Sequence, residues 1–154
     1  MSIQPDVDNL NSLESISEVL QTLGYETARQ EDGIAALVTI DEKQFPVALA
    51  IDPEDNGLRI SASLGEVNQM VEDVDDCEEF CHFLANLALL NPLITPFACG
   101  ILENDTDEVD DDPVVLVNKV PLGDFCIDEL QSAMDGLRGA LLLACPRLGI
   151  QTEG

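Results

Sequence analysis

The side chains best placed for chemistry are carboxylates and thiols. In DPEDNG (52–57), Asp52, Glu54, Asn56 and Gly57 match the first, third, fifth and sixth positions of an EF-hand calcium loop. Such a loop closes with a bidentate glutamate at its last position, where this chain has Ser63. The flanking runs are β-prone, and Asn-Gly between two such runs is a hairpin turn in its own right. The stretch therefore reads as a turn. ENDTDEVDDD (103–112) packs seven carboxylates into ten positions. Asp105 and Asp107 have ligand-like spacing, but no glycine follows to bend the loop and no placed glutamate completes the set. Between ITPFACGIL (94–102) and PVVLVNKV (113–120) it reads as a solvated hairpin loop.

Cys77 and Cys81 lie one helical turn apart with His82 adjacent. A structural zinc site needs four ligands, and Cys99, Cys126 and Cys145 stand far away along the chain. Buried, reduced thiols on an apolar face are the simpler reading, and five cysteines, an odd number, suit a reducing cytoplasm. His82 is the only histidine, so a Cys–His pair would have to use it. Glu78 and Asn86, four residues either side, instead place it in a thin polar stripe. No P-loop, dinucleotide or nucleophile-elbow motif occurs. The expectation is no catalytic residue, no metal site and no cofactor; the chain is read as not an enzyme.

With 31 Asp/Glu against six Lys/Arg, the net charge is −25. Binding nucleic acid requires clustered cations that displace counterions from phosphates, and six scattered basic residues do not supply them. An anionic membrane surface is disfavoured on the same ground. Acidity with little hydrophobicity signals disorder, but 45% of this chain is hydrophobic, which favours folding. One domain is expected over 1–154, with flexible ends at 1–9 and 147–154 and the acidic loop at 103–112. MSIQPDVDNLNSLES has neither the basic start nor the apolar run of a signal peptide. No stretch reaches the roughly 18 apolar residues that span a bilayer. A soluble cytoplasmic protein is expected, one whose charge attracts basic partners.

These residues must be positioned by a few elements. Asn11 or Ser12 suits the cap of a first helix, in which Leu13, Ile16, Leu20 and Leu23 form one apolar stripe ending at Gly24. Tyr25–Arg29 reads as a short strand and Asp32-Gly33 as a hairpin turn. IAALVTI (34–40), FPVALAI (45–51) and LRISASL (58–64) make an antiparallel meander. In the last of these, Leu58, Ile60, Ala62 and Leu64 alternate with Arg59, Ser61 and Ser63. A second helix from about Val74 to Leu90 begins acidic, as the helix dipole favours. Its later part, FCHFLANLALL, is apolar almost all round. One sheet cannot cover that, so a second subunit is expected on its far side. Two strands flank the acidic loop. A third helix, starting near Asp124 or Asp128, then carries Ile127, Leu130, Met134, Leu137 and Leu141 as far as Pro146, where it is expected to stop. The class is α+β, ordered α-β-β-β-α-β-β-α, with helices packed on an antiparallel sheet.

That order, with "LQTLGYE", "DGIAALVTID", "NGLRISASLGEV", "FCHFLANLALLN" and "VVLVNKVPLGDFCIDELQSAMDGL", resembles the class I chaperones of bacterial type III secretion, the Tir-chaperone-like family. The likeness runs over roughly residues 10–145, and YbjN-type proteins share the same pattern. The acidic loop and the short early strand depart from it. The resemblance implies a homodimer formed through the second helix, with Phe80, Phe83, Leu84 and Leu87 at the interface. It also implies a partner: the N-terminal segment of a secreted effector, held extended along apolar grooves and sheet edges. Leu13, Ile16, Leu20, Val47 and Leu49 would face it. The alternative is a regulatory or interaction module of the same fold that binds a folded partner.

Overall fold

The computed structural model describes residues 12–54, 56–102, 112–122 and 126–152. Among these residues three α-helices and six strands follow one another as α1 (Leu13–Thr22), β1 (Glu26–Arg29), β2 (Ile34–Ile40), β3 (Lys43–Asp52), β4 (Gly57–Glu66), α2 (Cys77–Ile94), β5 (Ala98–Ile101), β6 (Pro113–Pro121) and α3 (Ile127–Leu148). All the strands pair antiparallel in one sheet, ordered β1-β2-β3-β4-β6-β5. This is the expected α+β class, with β1 as the short early strand.

Alternation decides which face is covered. Ile34, Ala36, Val38 and Ile40 of β2, Phe45, Val47 and Leu49 of β3, and Leu58, Ile60, Ala62 and Leu64 of β4 are all buried. They form one core with Ile16 and Leu20 of α1, Phe83, Leu87, Leu90 and Ile94 of α2, and Leu130, Met134, Leu137 and Leu141 of α3. Each fully buried leucine or isoleucine contributes about 1.5–3 kcal/mol through area removed from water. The opposite face is exposed or half-buried among the described residues. It carries small or polar residues in register: Ala35 beside Ala48, Ala48 beside Ser61, Ser61 beside Val117, and Val117 beside Ala98.

Local chemistry sets the boundaries. Ser12 caps α1, its Oγ accepting from the Ser15 N–H at 3.2 Å. Asp76 caps α2 through the N–H groups of Glu78 and Glu79, so this helix starts three residues later than the acidic run suggests. The DPEDNG stretch closes the β3–β4 hairpin with Asn56 in the left-handed region at φ 52°. The Asp52 carboxylate there accepts from Lys119 Nζ and from the Glu54 N–H, both at 3.0 Å. A bulge at Gly65, where φ is +123°, shifts the β4–β6 register.

Three expectations need correction. Pro146 does not stop α3, which runs to Leu148 and ends at Gly149 in the left-handed conformation. The segment from 147 is not a loose tail as far as Thr152. Ile150 N–H donates to Cys145 O, Glu42 N–H to Thr152 O, and Thr152 Oγ1 to Asp41 Oδ2. Nor does α2 end before Pro92; it carries that proline within its last turn. The expected flexible segment 1–9 lies outside the described residues. So does the acidic loop, except for Asp112, which is buried and whose main-chain oxygen accepts from the Val67 N–H.

Candidate functional site

The geometry offers no converging set of catalytic side chains among the described residues; what it offers is backbone and apolar surface. The two edges of the sheet differ in kind. At β1, Gln30 N–H donates to Gly33 O, closing the hairpin to β2. Antiparallel alternation from that pair turns the main-chain groups of Thr27 and Arg29 away from β2, off the edge of the sheet. Thr27 Oγ1 accepts from Gln21 Nε2 of α1 at 2.9 Å, which ties the strand to the helix without using its backbone.

At β5 the outward groups of Cys99 are already taken. Its N–H donates to Asn91 Oδ1 at 2.7 Å, and Asn91 Nδ2 donates back to Cys99 O at 3.1 Å. Asn91 also donates to Leu87 O one turn earlier, which fixes its rotamer. The carboxamide thus presents to β5 the donor and acceptor that another strand would present. An edge strand left open is a template for strand pairing, and here α2 occupies the β5 edge at Cys99.

The second feature is the outer face of α2. The helix buries Phe83, Leu87, Leu90 and Ile94. The opposite side, Cys81, Ala85, Ala88 and Leu89, is exposed and uncharged. Leu84, Leu89 and Leu93 are 41%, 71% and 52% exposed, an unusual cost for large apolar side chains clustered on one helix. Of the residues anticipated at a subunit interface, Phe83 and Leu87 lie in the chain's own core and Phe80 is half-buried against it, its ring 6.3 Å from that of Phe83. Leu84 alone among them is exposed. Of those anticipated to face a partner, Ile16, Leu20, Val47 and Leu49 are fully buried and Leu13 is half-buried beside them. A partner using Ile16 or Leu20 would have to lift α1 from the core.

The thiols differ in burial, Cys126 being half-buried and the other four falling into two pairs. Cys99 and Cys145 are buried; burial pushes the Cys99 thiol up to about 12 and raises that of Cys145 as well. Cys77 and Cys81 are exposed, contrary to the expectation of buried thiols, because the chain covers only one side of α2.

Thr27, Arg29 and Asn91 were not legible as functional positions. Strand edges are set by which strands meet, and only the asparagine within an apolar helix end, LALLNPLI, marked its region as unusual.

No protein-family model matches the chain, and no curated protein matches it in sequence. Solved structures do. YbjN from E. coli, a candidate transcription regulator, is similar over 89% of this chain and 88% of its own, with a TM-score of 0.59 at 13% identity. The ExsC–ExsE complex matches over 87% of this chain and 92% of the matched one, with a TM-score of 0.52 at 17% identity. The HopA1–SchA chaperone–effector complex matches over 80% and 84%, with a TM-score of 0.50 at 17% identity. At such identities the likeness is one of fold. The chain has the chaperone-like fold that the resemblance implies, shared with YbjN.

Proposed function

We propose that this chain is a cytoplasmic, non-enzymatic, chaperone-like binding protein. It takes an extended segment of a partner protein, the N-terminal segment of a secreted effector, as an added strand along the β1 edge. It acts as a homodimer whose copies meet through the outer face of α2. The observation that carries this reading is the contrast between the edges: among the described residues the outward backbone of Thr27 and Arg29 on β1 has no partner, while Asn91 occupies the outward groups of Cys99 on β5. Added strands bind by main-chain hydrogen bonds and take specificity from alternate side chains. Likeness in fold to a chaperone in complex with its effector supports the reading.

The test is to isolate the chain with its bound partner and measure amide exchange in the complex. The Thr27 and Arg29 amides should gain protection on binding, and β5 should not change. Arg29→Pro removes one outward N–H at an exposed edge position where the ladder does not use it, so the fold should hold while the partner is lost. The stronger overall likeness to YbjN favours a second reading, an interaction module that binds a folded partner. A folded partner that survives Arg29→Pro, with exchange at β1 unchanged, would establish that one instead.

A further inference from the structure

Two shallow cavities of about 310 and 360 Å³ adjoin where the C-terminal end of α3 meets the start of α2 and the turn after β4; both are lined by Met70 and Gly149. Neither belongs to the β1 edge or to the outer face of α2. At 3.6 residues per turn, Glu79, His82 and Asn86 are centred roughly a third of a turn round α2 from Cys81, Ala85 and Ala88, with Leu89 of the outer face between the two sets.

The lining is unusual for this chain. Its floor is apolar: Leu64, Val71, Phe83 and Leu148 are buried beneath it. Its walls carry Lys43, Arg147 and the only histidine, His82, in a molecule with six Lys/Arg against 31 Asp/Glu. The one carboxylate in the lining, Glu79, is engaged: its Oε1 accepts from the main-chain N–H groups of Glu72 and Asp73. The end of α3 would by itself favour a cation, and Arg147 meets that demand with a single bond, Nη1 to Leu143 O at 3.2 Å. Among the described residues the remaining guanidinium donors have no hydrogen-bond partner, nor does Lys43 Nζ, held 5.6 Å over the Phe45 ring, and the side chains of His82 and Asn86 have no hydrogen bond. Gln69 uses its oxygen on the Glu66 N–H and keeps its amide donors. Two cationic side chains, Lys43 and Arg147, thus stand with donors to spare above an apolar floor.

We propose that this groove binds a short extended peptide segment of a partner protein in which carboxylates alternate with apolar side chains. The carboxylates are met by Arg147 and Lys43, and the apolar side chains lie over Met70 and Leu148. It is a second site, with a charge preference opposite to that of the acidic surface around it, and it does not depend on how β1 is used.

The test uses the full chain, isotope-labelled for NMR, and two terminally blocked hexapeptides, one alternating leucine with glutamate and one alternating leucine with glutamine. Free hexanoate is the third probe. The glutamate peptide should cause saturable shifts at Met70, His82, Asn86, Arg147 and Gly149 that weaken with added salt, and the glutamine peptide should bind about tenfold more weakly. Lys43→Gln with Arg147→Gln should erase that preference, while Arg29→Pro should leave it unchanged. Equal binding of the two peptides, shifts confined to other surfaces, no saturable shift, or hexanoate binding as well as the glutamate peptide would each overturn the proposal. The comparison on the unaltered chain stands even if the double variant fails to fold.

Discussion

The two ends of the sheet meet the same hazard in opposite ways. At β5, a carboxamide from α2 pairs both outward groups of Cys99, as a further strand would. At β1, nothing comparable is offered among the described residues, and the strand is only four residues long with mostly exposed side chains. The lesson is that closing an edge needs one well-placed side chain, provided a rigid element holds it. Asn91 is held because α2 is anchored by its buried side and by the bond from Asn91 to Leu87 O. With β5 occupied at Cys99, β1 is the edge with more backbone on offer for strand pairing. The two sides of α2 repeat the contrast, one supplying core and plug, the other exposed leucine.

The sharpest way to break this comparison is Asn91→Ala. It strips the partner from both outward main-chain groups of Cys99, a buried residue, at a cost of about 2–4 kcal/mol. Chemical denaturation should report that loss, and amide exchange at Cys99 should rise towards the rate at Thr27. If the exchange of Cys99 stays slow, the plug does not close the edge and the distinction between the two ends falls. A smaller effect is expected from Leu89→Ala on the outer side of α2. The fold should be untouched, since Leu89 is exposed within the chain. Association of two copies should weaken by about 1 kcal/mol per copy, the worth of a partly covered leucine. Light scattering across a dilution series measures it; a mass of one chain at every concentration would remove α2 pairing from the proposed function.

Legibility followed the range of the interaction that decides each feature. The meander from β2 to β4 was readable because hairpin turns and alternation are local, as Leu58, Ile60, Ala62 and Leu64 illustrate. The edges were not, because the chain leaves β4, runs through α2 and β5, and only then inserts β6 against β4. Nothing within β5 or β6 states that order. The faces of α2 were obscured for a different reason: when nearly every position is apolar, periodicity cannot say which side meets the core. Phe83 and Leu87 therefore looked as suited to a second copy as Leu84 and Leu89. The groove beside His82 draws on residues from Lys43 to Gln151, and no spacing rule joins them.

Thiol labelling sharpens the account of α2 without altering stability. At mildly alkaline pH, Cys77 and Cys81 should react readily, whereas Cys99, with its thiol near 12 and its sulfur buried, should react only on unfolding. Cys81 lies on the outer face, so its labelling should slow as concentration rises if copies pair there. Equal rates at all concentrations would argue that the face stays in water.

The smallest effect belongs to the open face of the sheet, where Asp52 of β3 reaches across β4 to Lys119 of β6 at 3.0 Å. The Lys119 ammonium, helped by the Glu54 N–H and the charge of Arg59, holds the Asp52 carboxyl below its ordinary value. A carboxyl whose value is lowered by folding stabilises the folded state at pH above its unfolded value, and that contribution fades as pH falls through the folded value. Asp52→Asn should therefore cost a little stability at neutral pH and nothing in strong acid, the two denaturation midpoints converging as the pH drops. Both side chains meet solvent, so added salt should narrow the gap at neutral pH too. A gap that persisted in acid would mean that Asp52 acts through its turn with Glu54 and not through its charge, leaving β3 and β6 joined only by the strand between them.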